Sequence, residues 1–259
     1  MSLYRPTARN FMEASENRMH SDDIAKQLGF DGALVAGVAV FGHMTHPLVC
    51  ALGADWLEGF TASLRLIKPA YDGDMLSIEH TETNREHLVR CTARGGTLLA
   101  ELRSQPGIAP LSELSWWPGG APVGERPIVE WDAIHENEAF PPWSWIPTEE
   151  ENATSASQIE DSLELYRTGI VHPQLILSQA NSAFSNRFVL PAWLHVGSEV
   201  AFRERLMVGD EVEVRTVPTH KWRKKDHEFV ELHVAYVVGE TVKTEITHTA
   251  IFKVAPHAA

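Results

Sequence analysis

Residues 60–74, with the sequence FTASLRLIKPAYDGD, return 136 positions later as residues 196–210, with the sequence VGSEVAFRERLMVGD. From Phe60 to Leu66 every second residue is apolar, and the matching positions of the second stretch are apolar or small. This period of two residues is typical of half-buried strands. Both stretches end in Gly-Asp, a pair typical of turns. The same shift places residues 34–35 on residues 170–171, so the repeated unit is larger than one hairpin.

Beyond the Gly-Asp pair the shift becomes 144 and aligns residues 95–102 with residues 239–246. The second copy is therefore longer by eight residues, which fall between Thr216 and Phe229. We expect a longer hairpin loop there. It would carry the basic run at residues 221–225, which is either a solvated loop or a weak contact for phosphate.

The order of elements is the same in both copies. A short helix capped by residues 21–23 comes first, and a long apolar helix follows at residues 35–52 in the first copy and 174–184 in the second. Strands are then expected over residues 60–67, 75–83, 88–93 and 97–104, with counterparts between residues 196 and 254. An α+β fold follows, with two antiparallel sheets that are each wrapped around a central apolar helix.

These copies define a first lobe at residues 1–104 and a second lobe at residues 153–259. The connector between them, residues 105–152, holds eight of the 15 prolines and five of the eight tryptophans. Because proline is stiff and tryptophan buries a large apolar area, we expect the connector to pack across the lobes. A stacking platform for single-stranded nucleic acid is the alternative.

The composition of the chain makes some classes of binding partner unfavourable. The 35 acidic residues against 22 basic ones give a net charge of -13, which disfavours a nucleic-acid partner. No run reaches the roughly 20 apolar residues of a membrane span, and residues 1–9 are polar, so we expect a cytoplasmic protein without a membrane partner. Cys50 and Cys91 are too few for a disulfide framework, and we expect two buried free thiols.

One segment carries a motif. It reads Asn17-Arg18-Met19-His20-Ser21-Asp22, then Gly29-Phe30, then Leu34-Val35-Ala36-Gly37. The segment resembles the active-site region of the MaoC-like, (R)-specific enoyl-CoA hydratases, which reads Asp-x-Asn-Pro-x-His-x-Asp, then Gly-Phe, then Pro-Ile-x-His-Gly-Met. Six residues match in order and spacing: Asn17, His20, Asp22, Gly29, Phe30 and Gly37. The resemblance implies a tandem (double) hotdog fold and an acyl-CoA or acyl-carrier thioester substrate.

The resemblance also implies roles for residues of the first lobe. His20 would transfer the proton, and Asn17 would orient the reacting groups. Asp22 would support the loop or, together with Phe30, contact the substrate. The family's catalytic Asp position is occupied by Ser15, which is kept as a candidate although a hydroxyl cannot act as a carboxylate base. The adjacent Glu16 is a guess for the missing carboxylate.

Gly37 has a physical rationale of its own. At the start of a helix its N–H is unpaired and lies at the positive end of the helix dipole. It is therefore a candidate to polarise a thioester carbonyl. The alternative is a glycine chosen for close packing.

In the second copy Ala153 and Ala156 occupy the positions of Asn17 and His20, so the motif is lost there. His172 stands at the start of the second long helix and is a candidate substrate contact or a structural residue. Trp193 and His195 come at the start of the first long strand, where they either line a pocket between the lobes or pack in the core. His43 and His46 could share a metal, but no third ligand is visible, so no metal site is predicted.

We therefore expect an acyl-thioester hydratase or dehydratase, a hydro-lyase that needs no cofactor. Two alternatives stay open because the dyad is altered. One is a hotdog thioesterase that hydrolyses acyl-CoA, and the other is a non-catalytic thioester-binding or assembly protein. A monomer and a homodimer of double-hotdog chains both remain open.

Overall fold

The computed structural model of this protein describes residues 2–121 and 124–255, in which ten strands form one antiparallel sheet. In chain order the strands are β1 (Ser2–Tyr4), β2 (Phe60–Leu66), β3 (Ser77–Thr83), β4 (Glu86–Thr92), β5 (Leu98–Pro106), β6 (Trp143–Trp145), β7 (Leu194–Phe202), β8 (Val212–Lys224), β9 (His227–Val238) and β10 (Thr241–Lys253). Their order across the sheet is β1-β3-β4-β5-β2-β7-β10-β9-β8-β6. Each half of the sheet therefore comes from one copy of the repeat, with β6 of the connector added at the far edge.

The two halves meet at β2 and β7, which are equivalent strands of the repeat. Ser63 pairs with Glu199, its own counterpart at the shift of 136. The Ser63 hydroxyl donates to the Glu199 carboxylate at 2.6 Å. The pseudo-twofold axis of the repeat passes through this pair, because the strands are antiparallel. The predicted α+β fold is confirmed, and the two predicted sheets are joined edge to edge into one.

Two long helices lie against the sheet, one from each copy as predicted, and they also pack on each other. They are α2 (Gly37–Leu52) and α4 (Pro173–Ser185), preceded by the shorter α1 (Asp22–Gln27) and α3 (Glu149–Gln158). Both contribute to one hydrophobic core that runs through both lobes. By length and composition the stretch Gly37–Leu57 could cross a membrane, but 61% of its apolar window is buried inside the protein. It is the core helix of the first lobe.

The shift of 136 residues also holds for individual hydrogen bonds. The Val35 amide donates to the Ala70 carbonyl at 2.9 Å, and the Val171 amide donates to the Leu206 carbonyl at 3.0 Å. The two Gly-Asp turns match as well. In each, the aspartate carboxylate accepts from the backbone amide three residues earlier at 2.8 Å. The repeat is therefore preserved in backbone detail although its sequence identity is low.

The prediction of a longer hairpin loop in the second copy is wrong. The turn between β8 and β9 is the two residues Lys225 and Asp226, both with positive φ, and its counterpart is equally short. The inserted residues lengthen the strands instead, to 13 and 12 residues against seven each for β3 and β4. An insertion divided between two antiparallel strands keeps a tight turn and extends the ladder.

The connector packs mainly on the second lobe. Ile134 and Phe140 join the hydrophobic core, and β6 pairs with β8. Lys221 donates to two carbonyls of the connector, and Arg223 lies over the Trp131 ring and pairs with Glu228. These two cations of the basic run are therefore engaged within the protein.

The cysteines differ from each other. Cys91 is buried as expected, whereas Cys50 is exposed, which corrects that expectation. Cys50 lies in the last turn of α2, where the helix emerges from the core.

Candidate functional site

A cavity of about 290 Å³ lies where the first lobe meets the start of β7. Four parts of the chain form most of its wall: the motif segment, the start of α2, the loop after β2, and the first residues of β7; α4, β9 and β10 add one residue each. The lining residues are Asn17, His20, Phe30, Val40, Asn181, His227, Ile251 and residues 34–37, 66–70 and 193–196. The wall contains four of the predicted site residues of the first lobe and two of the second.

His20 presents one nitrogen to this cavity and is anchored by the other. Its Nδ1 lies 2.7 Å from the Leu34 carbonyl oxygen, so Nδ1 carries the proton and donates. Nε2 then bears the lone pair, which faces the amide Nδ2 of Asn17 at 3.4 Å. Burial lowers the pKa of His20 below its ordinary value of 6.5, against the opposing effect of the Leu34 carbonyl. His20 is therefore a neutral base near pH 7.

Asn17 ties the motif to the second lobe. Its Nδ2 donates to the Trp193 carbonyl at 3.0 Å, and its Oδ1 accepts from the Trp193 amide at 3.2 Å. The Arg18 amide adds a bond to the Pro191 carbonyl at 3.0 Å. The position of His20 therefore depends on how the two lobes dock.

Gly37 is the first residue of α2, and the preceding Ala36 offers no side-chain cap. A Cβ on Gly37 would lie 2.5 Å from Leu66 Cδ1 and 3.0 Å from Nδ1 of His195. No acceptor for the Gly37 amide occurs among the described residues. This free N–H at a helix start is a suitable donor for an oxyanion. The missing side chain lets Leu66 and His195 pack closely against the start of α2.

His195 belongs to a chain of polar groups that runs from the cavity into the second lobe. Its Nε2 lies 2.9 Å from the Ser198 hydroxyl, which lies 3.0 Å from Nδ1 of His248. The two imidazole rings stack with centroids 4.3 Å apart. His248 is fully buried.

Several groups in the wall have no counterpart in the motif. Asn181 of α4 presents a side-chain oxygen without a partner, His227 accepts from the Ala255 amide at 2.9 Å, and Lys68 is exposed at the mouth. Lys68 stands among apolar residues in the sequence, whereas Asn181 stands among polar and small ones, so the sequence distinguishes only Lys68. His227 reaches the cavity because the inserted residues extend the β8–β9 hairpin.

No carboxylate lines the cavity among the described residues. Glu16 does not supply the missing carboxylate, because its side chain pairs with Arg126 at 2.5 Å and is half exposed. Ser15 is also outside the wall, and its hydroxyl donates to the Asn17 carbonyl at 3.3 Å. Ser15 was predicted as a candidate catalytic residue, but the structure places it outside the cavity. Its hydroxyl stabilises the turn before Asn17.

The prediction that Asp22 contacts substrate is also corrected. It is exposed, pairs with Lys26 at 2.8 Å and accepts from the Ala33 amide at 2.8 Å. Its carboxylate therefore fixes the loop before α2 and does not contact the cavity. Phe30 and Trp193 do line it, Phe30 half-buried and Trp193 almost fully buried.

His172, expected as a substrate contact, is fully buried away from this cavity. Its Nδ1 accepts from the Gln174 amide at 3.1 Å and so caps α4, while Pro173 removes the first N–H of that helix. The start of α4 thus has no free donor equivalent to Gly37. A crevice of about 650 Å³ near α3 has Ala153 and Ala156 in its wall and lacks a histidine there. The smaller cavity is the candidate site.

His172 instead joins a buried polar cluster. Asp161 lies 3.4 Å from Nε2 of His172 and 3.2 Å from Nδ1 of His46. Burial acts to raise the pKa of Asp161, but the contacts with these two histidines outweigh it and hold the pKa below its ordinary value. The cluster connects α2 with the second lobe. Within residues 2–121 and 124–255 no group of three or more His, Cys, Asp or Glu side chains is arranged to hold a metal ion.

Comparison with known proteins yields structural matches at low sequence identity. No protein-family profile and no curated protein sequence matches the chain. A MaoC-like dehydratase superposes with a TM-score of 0.58 at 13% identity, over 96% of this chain and 97% of its own. A conserved hypothetical protein of Mycobacterium tuberculosis, described as a double hotdog, gives a TM-score of 0.60 at 14% identity over 96% and 95%.

A protein of Lactobacillus plantarum, provisionally assigned as an oleoyl thioesterase, gives a TM-score of 0.53 at 12% identity over 99% of this chain and 98% of its own. The similar structures therefore include both a dehydratase and a thioesterase. At such identities the matches establish the architecture. Together with the repeat and the continuous sheet, they show that this chain has the double hotdog fold.

Proposed function

We propose that the protein adds water to, or removes it from, acyl thioesters, as a hydratase or dehydratase acting on 2-enoyl or 3-hydroxyacyl groups. One observation carries the proposal: His20, with its neutral imidazole, and Gly37, whose N–H has no acceptor among the described residues, line the same cavity. A base for water and a donor for a carbonyl oxygen are the two groups that this reaction needs. The spacing of Asn17, His20 and Gly37, which resembles the hydratase motif, supports the same reaction.

The hydration step balances with His20 as the proton carrier. Nε2 of His20 takes a proton from water while the water oxygen bonds to C3 of the enoyl group. The electron pair of the C2–C3 double bond moves toward the carbonyl oxygen, where the Gly37 N–H stabilises the enolate. The imidazolium then returns the proton to C2, and dehydration is the reverse. No carboxylate is required when one histidine both removes and returns the proton.

Asn17 holds the base ready for this water. Its amide faces Nε2 at 3.4 Å, which is long for a hydrogen bond and therefore weak. Its stronger bonds to the Trp193 backbone fix its position. A water molecule can therefore replace the weak contact without disturbing the amide.

The wall also fits an acyl chain with a polar carrier. Leu34, Val40, Leu66 and Ile251 give it an apolar surface. Lys68 is exposed at the mouth, where it can pair with a phosphate of coenzyme A or of a carrier-protein prosthetic group. Both lobes of one chain build the cavity, so a second copy is not needed to complete it.

Thioester hydrolysis is the second candidate, favoured by the absence of a carboxylate from the described wall. In that reaction His20 would direct water to the carbonyl carbon, Gly37 would stabilise the tetrahedral oxyanion, and the imidazolium would protonate the leaving thiolate. The same groups serve both reactions, so the product decides between them.

A substrate panel tests the proposal. Purified protein is incubated with 2-enoyl-CoA and saturated acyl-CoA esters of increasing chain length, and products are identified by mass spectrometry. The proposal expects 2-enoyl esters to gain one water while saturated esters stay intact. Release of free CoA from both kinds of ester would replace it with hydrolysis. A chain that binds the esters without converting any would be a thioester-binding protein.

A further inference from the structure

We infer that His195 is a second catalytic residue, a neutral imidazole whose Nδ1–H donates to the substrate carbonyl oxygen beside the Gly37 N–H. Ser198 and His248 hold it in the required tautomer. The inference rests on the proposed thioester site, and it holds for hydration and hydrolysis alike because both place negative charge on that oxygen.

The position of Nδ1 carries the first step. It lies 3.0 Å from the point where a Cβ of Gly37 would stand, so the His195 ring packs against the start of α2, and both residues line the cavity. It has no hydrogen-bond partner. A buried ring nitrogen without a partner thus lies beside a helix start whose N–H also has none, in the wall of one cavity, and a substrate oxygen there would give both groups an acceptor.

The tautomer follows from the buried end of the chain. Nε2 of His248 also has no partner, and His248 is fully buried. The Ser198 hydroxyl can donate to only one of the two rings, so one of the two unpartnered nitrogens, Nδ1 of His195 or Nε2 of His248, carries a proton. A carbonyl oxygen in the cavity can accept from Nδ1 of His195, whereas Nε2 of His248 has no acceptor among the described residues, so bound substrate favours the proton on Nδ1 of His195. Nδ1 of His248 therefore carries the proton and donates to the Ser198 oxygen. The Ser198 hydroxyl then donates to Nε2 of His195, which leaves the proton of His195 on Nδ1.

The charge state agrees with this role. Enclosure by the protein lowers the pKa of His195 to about 4, despite an opposing effect of the Gly197 backbone. The same burial, together with the nearby His195, lowers the pKa of His248 well below 6.5. Both rings are neutral near pH 7, and a neutral imidazole can polarise a carbonyl without giving up its proton.

The repeat explains why the second lobe has no such pair. The counterpart of His195 at the shift of 136 is Gly59, which has no side chain. The counterpart of Gly37 is Pro173, which has no N–H. Each lobe thus supplies one donor to the single cavity, Gly37 from the first and His195 from the second.

Infrared difference spectroscopy tests the assignment on a ligand that does not react. The probe is a ketone analogue of butyryl-CoA, with a methylene in place of the thioester sulfur and a carbon-13 label at the carbonyl. Binding to the wild type should shift the carbonyl stretch to lower frequency, because both donors polarise it. His195→Leu should lose much of this shift, while His195→Asn, which keeps a side-chain N–H at nearly the same place, should retain it.

Kinetics provide the second readout. His195→Leu should lower kcat about 100-fold for whichever thioester reaction occurs, the usual loss for one oxyanion donor, with a smaller change in KM. Ser198→Ala should lower it less, and His80→Gln on β3, outside the cavity wall, should match the wild type.

The possible failures are distinguishable. An unchanged carbonyl shift in His195→Leu would overturn the role of His195 and leave the proposed function standing. Equal losses in His195→Leu and His195→Asn, in proteins with the same melting temperature, would also overturn it. A wild type that does not bind the ketone analogue would overturn the proposed thioester site and this inference with it.

Discussion

The substitution Gly37→Ala separates the role of the helix start in catalysis from its role in packing. The added methyl group would stand 2.5 Å from Leu66 Cδ1 and 3.0 Å from Nδ1 of His195, beside the free N–H of the same residue. Leu66 can yield because its methyl is the end of a flexible side chain. We expect overpacking to cost about 2 kcal/mol of unfolding free energy, or about 6 °C in Tm for a chain of this size.

The catalytic effect should be larger than this stability effect. A carbonyl oxygen displaced from the N–H loses one oxyanion donor, so kcat should fall about 100-fold. The assay is the steady-state rate on the best thioester of the panel, measured well below Tm, together with thermal unfolding of the same sample.

Gly42→Ala is the matched control on the same helix. Its methyl would meet Gln174 and Ile159 at 2.8 to 3.0 Å, a similar crowding at the α2–α4 contact and outside the cavity wall. It should lower Tm by a similar amount and leave kcat within about twofold, since only packing changes. The reasoning is refuted if Gly37→Ala keeps wild-type kcat, or if both variants lose activity equally.

Four further outcomes are expected. Asn17→Ala should lower kcat about tenfold and destabilise the chain by about 2 kcal/mol in urea unfolding, because it leaves the buried backbone groups of Trp193 unpaired. The value of kcat/KM should stay level from pH 8 down to pH 6.5 and fall only below pH 6.5, because burial lowers the pKa of His20 and the imidazole stays neutral. A pH profile with its midpoint above 6.5 would contradict the assignment of His20 as the base. Lys68→Ala should raise KM for CoA esters and not for short pantetheine thioesters that lack the phosphates, and equal changes would remove Lys68 from the mouth. Asp161→Asn should lower the unfolding free energy by about 2 kcal/mol while kcat stays unchanged, because the cluster is outside the cavity; a loss of kcat at constant fold would point to a second site.

The fold could be predicted because its signals are local and occur twice. The alternation from Phe60 to Leu66 and the apolar helix at α2 each indicate an element, and the shift of 136 confirms each element with its copy. The prediction of a longer β8–β9 loop was wrong because a sequence insertion does not show whether it lengthens the loop or the two strands, which only the strand pairing reveals. The join of β2 to β7 could not be read from periodicity, which carries no information on edge pairing.

The candidate site was predictable only in part. Asn17, His20 and Gly37 stand in a spaced motif within 21 residues, and the structure brings all three to one cavity. The groups around them come from distant parts of the chain. His248 and Asn181 reach the site only through the docking of the lobes, and no spacing in the sequence indicates that.

His172 shows the opposite error. A histidine at a helix start fits both a ligand contact and a cap, and the two differ only in which way the ring turns. The ring turns back onto its own helix, where Nδ1 accepts from the Gln174 amide. Ser15 was kept because it aligns with the family's catalytic Asp, but its hydroxyl is directed at the local turn.

The most direct test of the central claim is the rate of the thioester reaction in His20→Gln compared with the wild type at saturating substrate. Removal of the His20 imidazole, the proposed base of this cavity, should lower kcat by about 10² to 10⁴, with an intact fold and unchanged affinity for the ketone analogue. His80→Gln should react at the wild-type rate. A His20→Gln protein that converts substrate within threefold of the wild type would contradict the account.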